Sequence, residues 1–153
     1  MEIRAVNRTF LGIDPGQSGG IAFVGEGLLL AFSMPNTERD LWGLMGGRER
    51  YGGDVFAVIE RVHSMPKQGV ASSFKFGQSY GFLRGCLIAS GIPFEEVTPQ
   101  VWQREMGCLS KGDKNVTKAR AQQLFPALKI THATADALLL AAYAQRLYAK
   151  RNP

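Results

Sequence analysis

Residues 8–32, RTFLGIDPGQSGGIAFVGEGLLLAF, constrain the fold more than any other stretch. Three apolar, β-prone runs, Thr9–Ile13, Ile21–Val24 and Leu28–Phe32, are separated by the turn-forming segments DPGQSGG and GEG. Short turns of this kind join antiparallel neighbours, so the stretch predicts three adjacent antiparallel strands. Asp14 directly follows the first run, where an ionised carboxylate is costly to bury unless it has a partner. That partner must come from later in the chain.

Length and composition favour one globular domain over residues 1–153. Of the 153 residues 45% are hydrophobic, which is enough for a sizeable core. No apolar run is long enough to span a membrane, and MEIRAVNRT lacks the layout of a signal peptide. Cys86 and Cys108 have no metal-ligand spacing. We therefore expect a cytoplasmic protein with reduced thiols, and an organellar origin stays open.

The formal net charge of +5 suits a polyanionic partner such as nucleic acid. It suits an ordinary basic protein equally well, so the charge alone does not decide between them.

The rest of the chain alternates strands and helices. Val55–Glu60 is apolar up to its final carboxylate, as is typical of a strand buried on both faces at the parallel centre of a sheet. Phe94–Val97 is a further short strand. Helices are predicted over residues 37–50, 73–90, 99–106, 114–124 and 133–149. The order βββαβαβααα indicates an α/β domain with a mixed sheet flanked by helices.

Two acids close strands that we expect to be neighbours. If the strands ending at Asp14 and Glu60 are parallel, both carboxylates emerge at the sheet edge where α/β proteins bind ligands. At ~4 Å they would repel by about 4 kcal/mol at an effective dielectric of about 20, and a divalent cation relieves that repulsion. Asp136, in the first turns of an apolar helix, is the candidate third acid. His132 lies four residues earlier and shares its face if the helix includes it.

Each of these residues also has a purely structural explanation. An Asp before Pro-Gly is often a turn former, and Glu60 can end a strand in water. Asp136 can complement a helix dipole, and His132 can be a loop residue without a role. A shared role explains better than three separate ones why all three acids adjoin apolar elements.

Five motifs, in order along the chain, resemble those of the RuvC-type Holliday junction resolvases. They are GIDPGQSGGIA, AVIERVH, FGQSYGFLRG, TPQVWQREMG and ADALLLAAY, and they extend from about Phe10 to Tyr143. The resemblance implies an RNase H-like α/β fold with a mixed five-stranded sheet of order 3-2-1-4-5. It also implies a homodimer that nicks two opposed strands of a four-way DNA junction, or of other branched DNA.

The same resemblance implies the catalytic residues. Asp14, Glu60 and Asp136 correspond to the family's metal-binding acids and would hold two Mg²⁺ ions, for which Mn²⁺ substitutes. The family often has an Asp or His three residues before the last acid, where this chain has Ala133. His132 is one residue earlier, and we assign it as a metal ligand or a proton-transfer group.

The resemblance also implies DNA contacts. Many members have an aromatic wedge where this chain has His63, so we expect a wedge at His63, Met65 or Phe74, or none. A family lysine is replaced by Trp102, which we interpret as a core anchor, with base stacking as the alternative. A second family lysine corresponds to Lys114, beside a helix N-terminus that favours anions. Further DNA-binding residues are expected among nearby lysines, namely Lys67, Lys75, Lys111 and Lys118.

Gly77, Gly81 and Gly85 recur every four residues in the predicted long helix, although each costs up to ~1 kcal/mol relative to Ala. We favour close packing of this stripe inside the fold, against the sheet or the C-terminal helix, over a seam between protomers. Alternative interface residues lie on another face of the helix: Phe76, Tyr80, Leu83 and Leu87.

Other functions stay open at this point. GIDPGQSGG also resembles the phosphate-binding turn of actin- and hexokinase-like ATPases, although those need two such domains around a nucleotide. An RNase H-like nuclease acting on flaps or RNA, and a catalytically silent junction-binding protein, fit the same motifs.

Overall fold

The computed structural model describes residues 7–46, 53–62 and 69–153. These residues form five strands and five helices in the predicted order. The elements are β1 Arg8–Asp14, β2 Gly20–Gly25, β3 Leu28–Ser33, α1 Glu38–Met45, β4 Asp54–Glu60, α2 Val70–Ala89, β5 Phe94–Val97, α3 Pro99–Glu105, α4 Lys114–Leu124 and α5 His132–Arg151.

The strands form one mixed sheet of order β3-β2-β1-β4-β5. β1, β2 and β3 are antiparallel neighbours, while β4 runs parallel to both β1 and β5. The predicted RNase H-like architecture is therefore confirmed. β4 lies between two parallel neighbours and under helices on both faces, which accounts for its continuous apolar run.

Helices cover both faces of the sheet, and alternate residues of each strand enter different cores. Phe10 packs with α5 and α3 in one core, whereas Leu11 and Ile13 pack with α1 and α2 in the other. Because side chains alternate along a strand, Gly12 and Asp14 share the face of Phe10. Asp14 therefore points to the side of the sheet that carries α5.

Two glycines let α5 approach the sheet closely. A Cβ atom added to Gly12 would lie within 3.0 Å of the backbone of Ala137 and Ala141, and one added to Gly20 would meet the backbone of Ala133 as closely. The helix backbone consequently rests directly on β1 and β2. This contact fixes the rotation of α5, and with it the direction of Asp136.

Two helix starts differ from the prediction. α2 begins at Val70 and not at residue 73. The helix therefore includes a valine and a serine that propensity alone would leave outside it. α5 begins at His132 and so includes it. Thr131 caps this end by a reciprocal capping box with Thr134. Residues 47–50, predicted as the end of the first helix, lie outside the described residues.

The preferred packing of the glycine stripe is wrong. A Cβ atom added to Gly77, Gly81 or Gly85 would meet no described atom within 4 Å, so the stripe faces outward. The alternative interface is also wrong for Leu83 and Leu87, which are 1% and 0% exposed. They pack beneath α2 in the core. Periodicity showed that the helix has two faces but not which of them meets the sheet.

No helix within the described ranges is long and apolar enough to cross a membrane. Cys86 and Cys108 are buried free thiols, as the lack of ligand spacing predicted.

Candidate active site

Asp14 and Glu60 are neighbours at the C-terminal ends of two parallel strands. The β1–β4 register pairs Ile13 with Ile59, so the next residue of each strand is an acid beside the other. Both acids share the α5 face, because each lies two residues beyond a residue on that side. Asp136 belongs to the turn of α5 between Ala133 and Ala137, two of the residues whose backbone rests on the sheet.

The charges of the three acids act on one another within the site. Asp14 is 7% exposed. Its burial, together with the charges of Glu60 and Asp136, raises its pKa to about 8. Burial also raises the pKa of Glu60, and Asp136 raises it further. Lys114 acts in the opposite direction on both acids. The site is thus a buried cluster of like charges, and the charge of Lys114 partly offsets it.

The donor set fits a divalent cation. Asp136 is 9% exposed, and its Oδ1 atom is buried without a hydrogen-bond partner among the described residues. A buried oxygen of this kind is costly unless an ion or water meets it, and carboxylate oxygens are the ligands that Mg²⁺ prefers. The described residues nevertheless contain no ready-made group of three or more His, Cys, Asp and Glu side chains placed to hold a metal.

Glu60 has a second neighbour that sequence reasoning did not connect to it. The Nε1 atom of Trp102 donates a hydrogen bond of 2.8 Å to Oε2 of Glu60. β5 pairs Val97 with Glu60, and α3 begins two residues later at Pro99, which brings Trp102 to the acid. The predicted core-anchor role of Trp102 holds, since its side chain is fully buried. The signal available in the sequence was that a buried indole N–H needs an acceptor.

A cleft of about 470 Å³ opens beside Asp14. Its walls are the turn after β1, one face of α2 and the start of α4. Two of the predicted DNA-binding lysines, Lys75 and Lys114, line it. Lys114 is the first residue of α4, and the positive end of the helix dipole there also favours anions. The cleft therefore combines an acidic floor with two cationic walls.

A second groove, of about 580 Å³, opens beside Glu60. Arg61, Thr98 and Pro99 line it together with Phe76. Phe76 also lines the first cleft, so its half-buried ring forms the wall between the two grooves. Phe76 was assigned to an interface by sequence reasoning, and its place in the site was missed.

The α2 face of the cleft carried a signal that could have been used. Ser72, Lys75, Phe76 and Ser79 line the cleft together, and their spacing of three, four and seven residues is that of one helical face. A polar face with a lysine, on a helix that follows the strand of Glu60, indicates a wall of the site.

The other predicted site residues either do not line the cleft beside Asp14 or lie outside the described residues. His132 is exposed, and its side chain makes no hydrogen bond or ion pair with any residue in the described ranges. Lys111 is exposed in the turn before α4, and Lys118 lies one turn after Lys114. Phe74 is 75% exposed on α2. The remaining predictions fall outside the described residues: His63, Met65 and Lys67.

Sequence comparison does not assign a family. No protein-family model matches the chain, and no curated protein is significantly similar to it. Solved structures are similar. Thermus thermophilus RuvC in complex with a Holliday junction substrate matches with a TM-score of 0.64 at 17% identity, over 95% of this chain and 96% of that chain.

The chain has a RuvC-type fold. A second T. thermophilus RuvC structure has a TM-score of 0.59 at 19% identity, over 94% and 96% of the two chains. The yeast mitochondrial Holliday junction resolvase Ydc2 has a TM-score of 0.49 at 14% identity, over 93% and 82%. The two RuvC structures confirm, at the level of the fold, the resemblance seen in the five sequence motifs.

Proposed function

We propose that this protein is a metal-dependent endonuclease that resolves Holliday junctions by paired nicks. The observation that carries the proposal is the buried cluster of Asp14, Glu60 and Asp136 at the edge of the sheet, beside a cleft lined by lysines. The RuvC-type fold supports it, because a RuvC protein with the same fold is in complex with a Holliday junction substrate.

Asp14, Glu60 and Asp136 would hold two Mg²⁺ ions, for which Mn²⁺ substitutes. When bound, such a pair activates a water for attack on the phosphodiester and stabilises the leaving 3′-oxygen. The three carboxylates supply hard oxygen ligands, and burial among apolar residues keeps their charges poorly screened. His132, at the exposed start of α5, is assigned as a residue that accepts a proton from the attacking water or completes a ligand set.

The chain's own cations bind the DNA backbone in this proposal. Lys75 and Lys114 stand on opposite walls of the first cleft, where they can contact phosphates next to the acids. Lys111 and Lys118 extend the same basic surface along and before α4. Contacts of this kind position DNA without reading its sequence. Binding should therefore weaken strongly with salt.

The protein is proposed to act as a homodimer whose protomers pack through α2. An outward-facing stripe on this helix has spacings of three and four residues, as helix–helix seams do. Its ends are apolar, with Val70, Phe74 and Ile88 exposed by 88%, 75% and 65%. Its centre is glycine, which lets two backbones approach closely. The α2 stripe comprises Val70, Phe74, Gly77, Gly81, Gly85 and Ile88.

The deciding experiment is cleavage of a labelled immobile four-way junction, compared with a flap, a linear duplex and an RNA–DNA hybrid, in Mg²⁺ and in EDTA. We expect symmetric nicks on the junction in Mg²⁺ only. Asp14→Asn should abolish cleavage while binding persists. Glu26→Gln, which removes an exposed acid at the opposite end of β2, should leave cleavage unchanged.

The same assay separates the alternatives. Preferential cleavage of flaps or of the RNA strand would assign the chain to another RNase H-like nuclease. Junction binding that is identical for wild type and Asp14→Asn, without cleavage in any divalent cation, would indicate a silent binding protein. Tight ATP binding without cleavage would favour the actin- and hexokinase-like interpretation.

A further inference from the structure

Trp102 is the one described side chain that hydrogen-bonds to an acid of the cluster. Its indole is fully buried, and Nε1 lies 2.8 Å from Oε2 of Glu60. The indole is held in place by its own packing, in the core formed with α5 and β4. Trp102 can therefore fix the rotation of the Glu60 carboxylate without moving itself.

The hydrogen bond from Trp102 occupies Oε2 of Glu60 and does not involve Oε1. An indole N–H donates only and carries no charge. It can hold a carboxylate without competing with a cation for the charge of the cluster. A lysine at this position would add a positive charge beside the acids. The indole gives orientation without that charge.

We propose that Trp102 is a positioning residue for the metal site, holding Oε2 of Glu60 so that Oε1 is available to a divalent cation. The inference rests on the proposed function, since it assumes that the three acids bind metal. Partners of this kind, one step removed from the metal, orient the ligands, and their loss typically weakens metal binding by about 10- to 100-fold.

Mn²⁺ is the probe for the first experiment, with ¹⁵N-labelled tryptophan in the wild-type protein. The chain has two tryptophans. Trp42 lies on α1, which packs on the opposite face of the sheet, so its indole serves as an internal control. We expect Mn²⁺ to broaden the Trp102 indole resonance at concentrations that leave Trp42 sharp. Asp14→Asn should remove this selective broadening.

The second experiment compares Mn²⁺ affinity between variants, measured as free Mn²⁺ by electron paramagnetic resonance. Trp102→Phe keeps an aromatic ring but loses the donor, and we expect about 10-fold weaker binding. Phe23→Leu, which removes a buried ring from the opposite core, should bind Mn²⁺ as wild type does. Thermal unfolding of both variants establishes that the folded protein is being compared.

A closer replacement keeps the test decisive should Trp102→Phe fail to fold. Incorporating 3-benzothienylalanine at position 102 exchanges the N–H for sulfur and preserves the ring. Wild-type Mn²⁺ affinity in a folded donor-free variant would overturn the positioning role and leave the metal site standing. Absence of selective broadening in the wild type would instead overturn the metal site, and with it the proposed function.

Discussion

Burial and the two neighbouring acids all raise the pKa of the Asp14 carboxyl. Burial is the largest cause, the charges of Glu60 and Asp136 act with it, and Lys114 opposes them, so that the pKa of Asp14 is raised to about 8. A protein that only needed a turn former before Pro15 would gain nothing from placing it under a helix beside two further acids. The cost of this arrangement is intelligible if a divalent cation offsets it.

This placement predicts how the metal-free protein responds to pH. Between pH 3.8 and about 8 the folded state keeps a proton on Asp14 that the unfolded chain has released, so stability falls as the pH rises through this range. Asp14→Asn should flatten that slope and stabilise the protein at about pH 8 by at least about 1.4 kcal/mol. Urea unfolding in EDTA at several pH values measures both the slope and the gain in stability. Parallel curves for wild type and variant would contradict the placement.

Lys114 carries a separate prediction for DNA binding. Lys114→Ala should weaken junction binding uniformly across sequences and reduce the slope of log K against log salt by about 1. The control is Lys150→Ala, because Lys150 lies at the far end of α5 and pairs with Glu105 at 2.5 Å. Fluorescence anisotropy over a range of salt concentrations gives both slopes. Equal slopes for the two variants would remove Lys114 from the DNA interface.

The three acids could be predicted because each ends or begins an element with a clear apolar pattern. Asp14 and Glu60 each end a strand, and the parallel pairing of those strands brings both acids to the same edge of the sheet. The bond between Trp102 and Glu60 could not be predicted in the same way, because it depends on how far α3 turns back over the sheet after β5. That rotation is set by packing in the core and not by a local pattern.

At the level of elements, the contact between α5 and β1 positions the site. Gly12 leaves room for the helix backbone, and Asp136 lies in the turn that this contact orients. The sequence indicated only that Gly12 belongs to a strand. A glycine is needed there because the backbone of α5, about 125 residues later in the chain, packs against it. Close approach of this kind is visible only once the layers are assembled.

Gly12→Ala should consequently damage both the fold and the site. The added methyl would lie within 3.0 Å of backbone atoms of α5, which cannot rotate away, so we expect a loss of about 3 kcal/mol. Gly43→Ala in α1, where an added Cβ meets nothing described within 4 Å, should instead gain up to ~1 kcal/mol. Chemical denaturation compares them. A Gly12→Ala protein as stable as wild type would show that α5 does not rest on β1.

At the level of the whole molecule, symmetry links the proposed dimer to the proposed product. A four-way junction presents two equivalent strands, and a two-fold dimer presents two equivalent sites. In the proposed dimer, the outward-facing α2 stripe would be the contact surface. The same helix also lines the cleft, through Lys75 and Ser79. Assembly through α2 would therefore set the spacing between the two sites as well as their number.

Gly81→Leu tests this link directly. The added side chain enters open space in the protomer, so the fold should survive, while close approach of two α2 backbones should be blocked. We expect a monomer by analytical ultracentrifugation. On a supercoiled plasmid that extrudes a cruciform, we expect nicked circles in place of the linear product of paired cuts.

Ala149→Leu, an exposed small-to-large change near the end of α5, should leave both assembly and linearisation intact. A dimeric Gly81→Leu protein that still linearises the plasmid would place the interface elsewhere, and single nicks from a wild-type dimer would break the link between symmetry and product.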